Sequence, residues 1–157
     1  MNAPGRWACA TLVMVLAACE QAPPSTPYKA VASTKQLMAE VIEPAADVYW
    51  GAVGSVTDAH GTVETAPTTD DEWNTVRNAA LTVAESGNLL MMDARARNHD
   101  EWMTLSRGLI DAGERARAAA ESKKAKAVFD AGAEVYQACV NCHAIYLVGA
   151  KALPPRP

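Results

Sequence analysis

The chain has 157 residues, half of them hydrophobic and a fifth charged, with a formal net charge of −4. That balance excludes a disordered tail and a collagen-like repeat, and one domain is expected once any leader is removed. It also speaks against nucleic acid as a partner, since phosphate binding needs a basic face, and no apolar run approaches the roughly 20 residues of a spanning helix.

Residues 1–18 read as an export signal: Arg6 supplies positive charge, Ala8 to Ala18 a short apolar segment, and small residues follow. Leu16-Ala17-Ala18-Cys19 resembles a bacterial lipobox, which implies that Cys19 becomes the first residue of the mature chain and carries lipid. Ordinary cleavage nearby would leave Cys19 as a stray thiol, a liability in an oxidising compartment. Cys9 leaves with the leader. Residues 19–32 carry Pro23, Pro24 and Pro27 without periodicity and read as a tether from the lipidated Cys to the folded body. A frayed terminus would look the same. By analogy with enteric sorting, Glu20 after the Cys favours the outer membrane over the inner one.

Aromatics make up only 6 % of the chain while Ala recurs throughout, a mix that favours helices over a β-sandwich. Residues 33–157 form the expected domain, with four amphipathic helices. The first is predicted over Thr34 to Val56, opened by Ser33 with Gln36 three residues on, a capping-box spacing. Its stripe is Met38, Val41 or Ile42, Ala45, Val48 or Tyr49, Ala52 and Val56, and Pro44 should bend it. A loop over Gly61 to Thr69 follows. The second helix opens at Thr69 with Glu72 three on, buries Trp73, Val76, Ala80, Val83 and Leu90, and ends near Met92; Gly87 weakens its last turns. The third opens at Asn98 and carries Trp102, Leu105, Leu109, Ala112, Ala116 and Ala119. The fourth begins at Ser122, with the stripe Val128, Gly132, Val135, Cys139, Cys142 and Tyr146, and Pro154 and Pro155 forbid much helix beyond it.

Short connections make an antiparallel up-and-down four-helix bundle the natural all-α closure. A bundle so rich in Ala would pack thinly unless something else filled its core.

Cys139-Val140-Asn141-Cys142-His143 supplies a candidate, because C-x-x-C-H is the attachment sequence of c-type haem. On a helix, positions i, i+3 and i+4 share a face, so both thiols and the imidazole point the same way. The thiolates can add to the two haem vinyl groups while His143 reaches the iron from the proximal side. At this chain's own Cys and His frequencies the pattern arises by chance about one time in 500, so the signal is strong. A structural zinc site would need four ligands, and only these two Cys remain after the leader and the lipidated Cys are discounted. A thioredoxin-like pair should follow a strand and begin a helix, whereas this one ends a helix. A plain disulfide suits an exported protein but leaves His143 unexplained.

With that motif late in its last helix, the chain resembles the class II c-type cytochromes, the cytochrome c′ group, from about Ser33 to Val148. The resemblance rests on Cys139, Cys142, His143 and Tyr146, because the family often has an aromatic three residues after the His. The family commonly places a basic residue after that aromatic; here it is Leu147, and Lys151 is the next basic residue. The resemblance implies one covalent haem c per chain near the C-terminal end of helix four, bound by Cys139, Cys142 and His143 with Tyr146 beside it. It makes Arg77, Arg107 and Arg115 candidates to face the propionates, although each also reads as a solvated charge. His60 and His99 read as surface histidines, and Lys123 and Lys124 as a solvated face or a docking patch.

The function implied is a monohaem electron carrier outside the bacterial cytoplasm, not an enzyme. Its expected partners are redox proteins and a membrane reached through the lipid anchor, and a homodimer is allowed. The alternative is a five-coordinate protein that binds nitric oxide or carbon monoxide. The residue above the iron decides between them. In the family it comes from the first helix, where Met38 is the only Met, and in an up-and-down bundle it lies level with His143. Met38 is therefore the expected sixth ligand, with Ile42 one turn on as the apolar alternative and Met91 and Met92 as weaker rivals.

Overall fold

The computed structural model describes residues 28–147. The export signal, Cys19 with most of the tether, Lys151, Pro154 and Pro155 lie outside those residues. The first helical rod is built from three pieces: α1 (Thr34–Leu37), a π-helical turn (Met38–Ile42) and α2 (Glu43–Gly51). Ser33 caps α1 with the expected box, its side chain accepting from the Gln36 N–H while the Gln36 side chain accepts from the Ser33 N–H. The bend expected from Pro44 takes the form of the π-turn. The Glu43 N–H reaches back five residues to the Met38 carbonyl, and this wider turn accommodates a ring that lacks an N–H and would press on the previous turn. The buried positions become Leu37, Ile42, Ala46, Tyr49 and Val53, so the stripe takes one five-residue step where three or four was expected.

Two expectations fail just beyond. The first helix does not continue to Val56, and Gly61 to Thr65 is not a loop. Gly54–Asp58 (β1) and Gly61–Thr65 (β2) form an antiparallel hairpin, with Val56 opposite Val63 and Asp58 opposite Gly61. Its turn is closed by the Asp58 carboxylate accepting from the His60 N–H at 2.7 Å, and by Gly61, whose φ of 132° suits a residue without a Cβ. The molecule is therefore mostly helical with one small sheet.

Thr69 caps α3 (Asp70–Leu90) with the expected box to Glu72. The two N–H groups of Thr68 and Thr69 hold the Glu72 carboxyl down at about 2. Every residue expected on the inner face of this helix is buried. Helix α4 (Glu101–Glu121) starts two residues later than its predicted N-cap allows: Asp100 occupies the N-cap position, while the Asn98 side chain accepts from the Trp102 N–H one turn in. Ser122 ends α4 instead of opening the next helix, and Lys123, at φ 53°, turns the chain into α5 (Ala125–Tyr146). The Lys123 ammonium donates to Asp70 at 2.6 Å, tying that turn to the start of α3.

The four helical rods pack around one core. Contact is closest between α3 and α4 and sparse between α2 and α5. The tight seam follows from glycines: a Cβ on Gly113 would lie 2.7 Å from the Ala84 backbone, and one on Gly87 2.7 Å from the Ser106 carbonyl. Gly87, expected only to weaken its helix, is what lets α4 approach. Tyr49 donates its hydroxyl to the Ala116 carbonyl at 3.1 Å, and Trp50 its indole N–H to the Gly132 carbonyl at 2.9 Å. These bonds tie the first rod to α4 and α5. Among the described residues no helix is long and apolar enough to cross a membrane.

Candidate cofactor site

Where the first rod and α5 fail to close on each other, a cavity of about 400 Å³ remains. Volumes of about 300–1,000 Å³ are usual for small-molecule and cofactor sites. All four helical rods contribute to its wall: Met38 and Ile42 from the π-turn, Ala46 and Trp50 from α2, Leu90 from α3, Leu105, Ser106 and Leu109 from α4, and Cys139, Cys142 and His143 from α5. The lining is mostly apolar, with Glu43, Ser106, Tyr136 and His143 as its polar members.

The C-x-x-C-H sequence lies within α5, and its helical spacing brings both sulfurs and the imidazole to this one wall. Both thiols are free and half-buried. Burial pushes the Cys139 thiol up to about 11, helped by the neighbouring Cys142, and burial also raises Cys142. At neutral pH both are therefore protonated thiols, which deprotonate only when a reaction partner or a base draws the proton. His143 is half-buried, and its Nδ1 is enclosed without a hydrogen-bond partner. Among the described residues no group of three or more His, Cys, Asp and Glu side chains could hold a bare metal ion.

Met38 lies on the same cavity wall, and so does its rival Ile42, which is buried. Met91 and Met92 do not. They line a separate depression with Tyr28 and Asp93, and the Met92 sulfur accepts from Arg95 at 3.0 Å. Tyr146 stands beside the cavity and is not part of its lining. It packs edge-on against Trp102, with ring centroids 4.9 Å apart, and its hydroxyl accepts from Asn98 at 2.7 Å. Arg77, Arg107 and Arg115 do not line the cavity either, and Arg115 is paired with Glu134. His60 and His99 are exposed.

The sequence reading missed three features of this end of the molecule. Ser106 and Glu43 gave no signal, because a single polar residue at a helical core position reads as noise. Arg95 is buried and ties the chain entering α1 to the α3–α4 connection, donating to the carbonyls of Ala32 and Leu89 at 3.1 and 3.0 Å. No protein-family model, curated protein or solved structure matches the chain.

The residues present fit a covalently held haem. They offer an apolar cavity, two thiols one helical turn apart on its wall, and beside them an imidazole whose Nδ1 is unsatisfied within the protein.

Proposed function

We propose that this chain is a monohaem c-type cytochrome that carries single electrons on the outer side of a bacterial membrane. The observation that carries the reading is Cys139, Cys142 and His143 together on the wall of an apolar cavity. In the fold that accompanies it, an antiparallel up-and-down bundle, Trp102 meets Tyr146 and Arg115 meets Glu134, as opposite chain directions in α4 and α5 require. Bound haem supplies an iron that cycles between two oxidation states. The chain's own residues do the rest. Cys139 and Cys142 would hold the group through two thioethers, His143 would offer a ring nitrogen to its iron, and the apolar lining would exclude water and so favour the less charged state.

Met38 is the proposed sixth ligand. It lies twelve residues before Trp50, and His143 lies eleven after Gly132. If the first rod and α5 run in opposite directions, the Trp50–Gly132 hydrogen bond supports similar heights for the two. A Met thioether together with the His143 imidazole would raise the reduction potential of a bound haem, which suits a carrier in an oxidising compartment. Lipidation of Cys19 would supply the membrane attachment. The second reading, a five-coordinate protein for nitric oxide or carbon monoxide, draws on Ile42, which is buried on the same wall one turn from Met38.

The deciding experiment is expression with a c-type haem maturation system, followed by acid-acetone extraction. The unaltered chain keeps its haem, and the Cys139→Ala, Cys142→Ala double variant releases it. Haem that stays with the double variant, or an unaltered chain that takes up none, overturns the reading.

A further inference from the structure

Serines and threonines inside the helices of this protein return their hydroxyls to the carbonyl four residues back: Thr75 to Asp71, Thr82 to Asn78, Ser86 to Thr82 and Thr104 to Asp100, at 2.6 to 3.0 Å. Within α3 and α4, Ser106 is the exception. It is only 3 % exposed, yet its hydroxyl makes no hydrogen bond with any described residue and opens onto the cavity. Its oxygen is left free on the cavity side to accept a hydrogen bond from a donor that faces it there.

On the same wall, His143 Nδ1 is buried without a hydrogen-bond partner. The two are close in height. Ser106 lies one turn along α4 from Trp102, His143 lies about one turn back along α5 from Tyr146, and Trp102 packs on Tyr146. Their chemistry is complementary. An imidazole that ligates a metal through one nitrogen carries a proton on the other and almost always donates it. A serine oxygen has two lone pairs to accept it.

We propose that Ser106 is a positioning residue for His143: with haem in the cavity, its hydroxyl accepts the Nδ1–H of the axial imidazole. This rests on the haem reading above. Such a bond fixes the ring's orientation and makes the imidazole a stronger donor, which stabilises the ferric iron and lowers the reduction potential. Ser106→Ala removes the acceptor while keeping the helix and the buried volume nearly unchanged, whereas Ser106→Thr keeps it.

The test compares the haem-loaded unaltered protein with both variants. Redox titration should show an upward shift of midpoint potential in Ser106→Ala and a value near the unaltered one in Ser106→Thr. In the nitrogen-15-labelled unaltered protein, the His143 Nδ1 proton should exchange with solvent at least tenfold more slowly than that of a free imidazole. A potential unmoved in Ser106→Ala, an equal shift in both variants, or a fast-exchanging Nδ1 proton in the unaltered protein overturns the proposal and leaves the haem reading standing. An unaltered chain without covalent haem overturns both.

Discussion

Met38 and His143 come from opposite ends of the described chain and line one cavity. The π-turn over Met38–Ile42 shifts the first rod's buried face by one residue, which leaves Met38 half-buried and Ile42 buried, both on the cavity wall. π-turns inside α-helices are frequent at functional sites, where they re-aim a side chain at the cost of regular hydrogen bonding. On the proposed reading, Met38→Ala removes the sixth ligand and turns a low-spin optical spectrum of the reduced protein into a high-spin one. Met91→Ala, outside the cavity, leaves the spectrum unchanged. A low-spin spectrum that survives Met38→Ala transfers the role to another residue, and a high-spin spectrum in the unaltered protein gives the ground to gas binding. Cys139, Cys142 and His143 were legible as a group because their spacing puts them on one helical face, which lines the cavity. Ser106 was not, because nothing local marks a helical serine whose hydroxyl opens onto a cavity formed by distant elements.

The helices were legible to the extent that their ends carry chemistry. Ser33 with Gln36 and Thr69 with Glu72 mark two helix starts to the residue, since reciprocal capping needs that three-residue step. The other two starts were misplaced by two or three residues, because Asp100 and Lys124 make no side-chain cap and so leave no sign. The hairpin was missed for a different reason. All ten of its strand residues are exposed, so no alternation of apolar and polar positions betrays it, and Val56 falls by accident at a helical step from Ala52. Gly87 inside α3 looked like a weakness and is a packing device, as is Gly113 of α4. Adding a methyl at Gly113 drives it into the Ala84 backbone, which cannot move aside as a flexible side chain would. Gly113→Ala is expected to destabilise the protein by about 1–3 kcal/mol through overpacking. Gly108→Ala, where nothing lies within 4 Å, should be neutral to stabilising in the same helix, since alanine is the better helix former. Urea denaturation of both variants checks the pair.

Across the whole molecule, packing is unevenly shared, and this sets how the bundle should behave without its cofactor. The α3–α4 seam is closed by backbone-to-backbone approach at Gly87 and Gly113, while the first rod is held to α4 and α5 mainly by the Tyr49–Ala116 and Trp50–Gly132 bonds. Those two bonds lie away from the C-x-x-C-H end. Towards that end lies the cavity, and the chain entering α1 is retained by Arg95 through neutral acceptors. A group that binds only the folded chain contributes its binding energy to folding. Its absence should therefore loosen the region it joins before the rest. In the Cys139→Ala, Cys142→Ala double variant, amide hydrogen exchange is expected to accelerate most over Met38–Ala46 and Ala138–Tyr146. It should change least over Val76–Ala84 and Leu109–Ala116, and the segment around Val128–Val135 should fall between. Sub-global opening of this kind follows local contact density. Mass spectrometry of the exchanged peptides reads it directly, and uniform acceleration along all four rods would show that the bundle opens as one unit and that the cavity end has no separate stability.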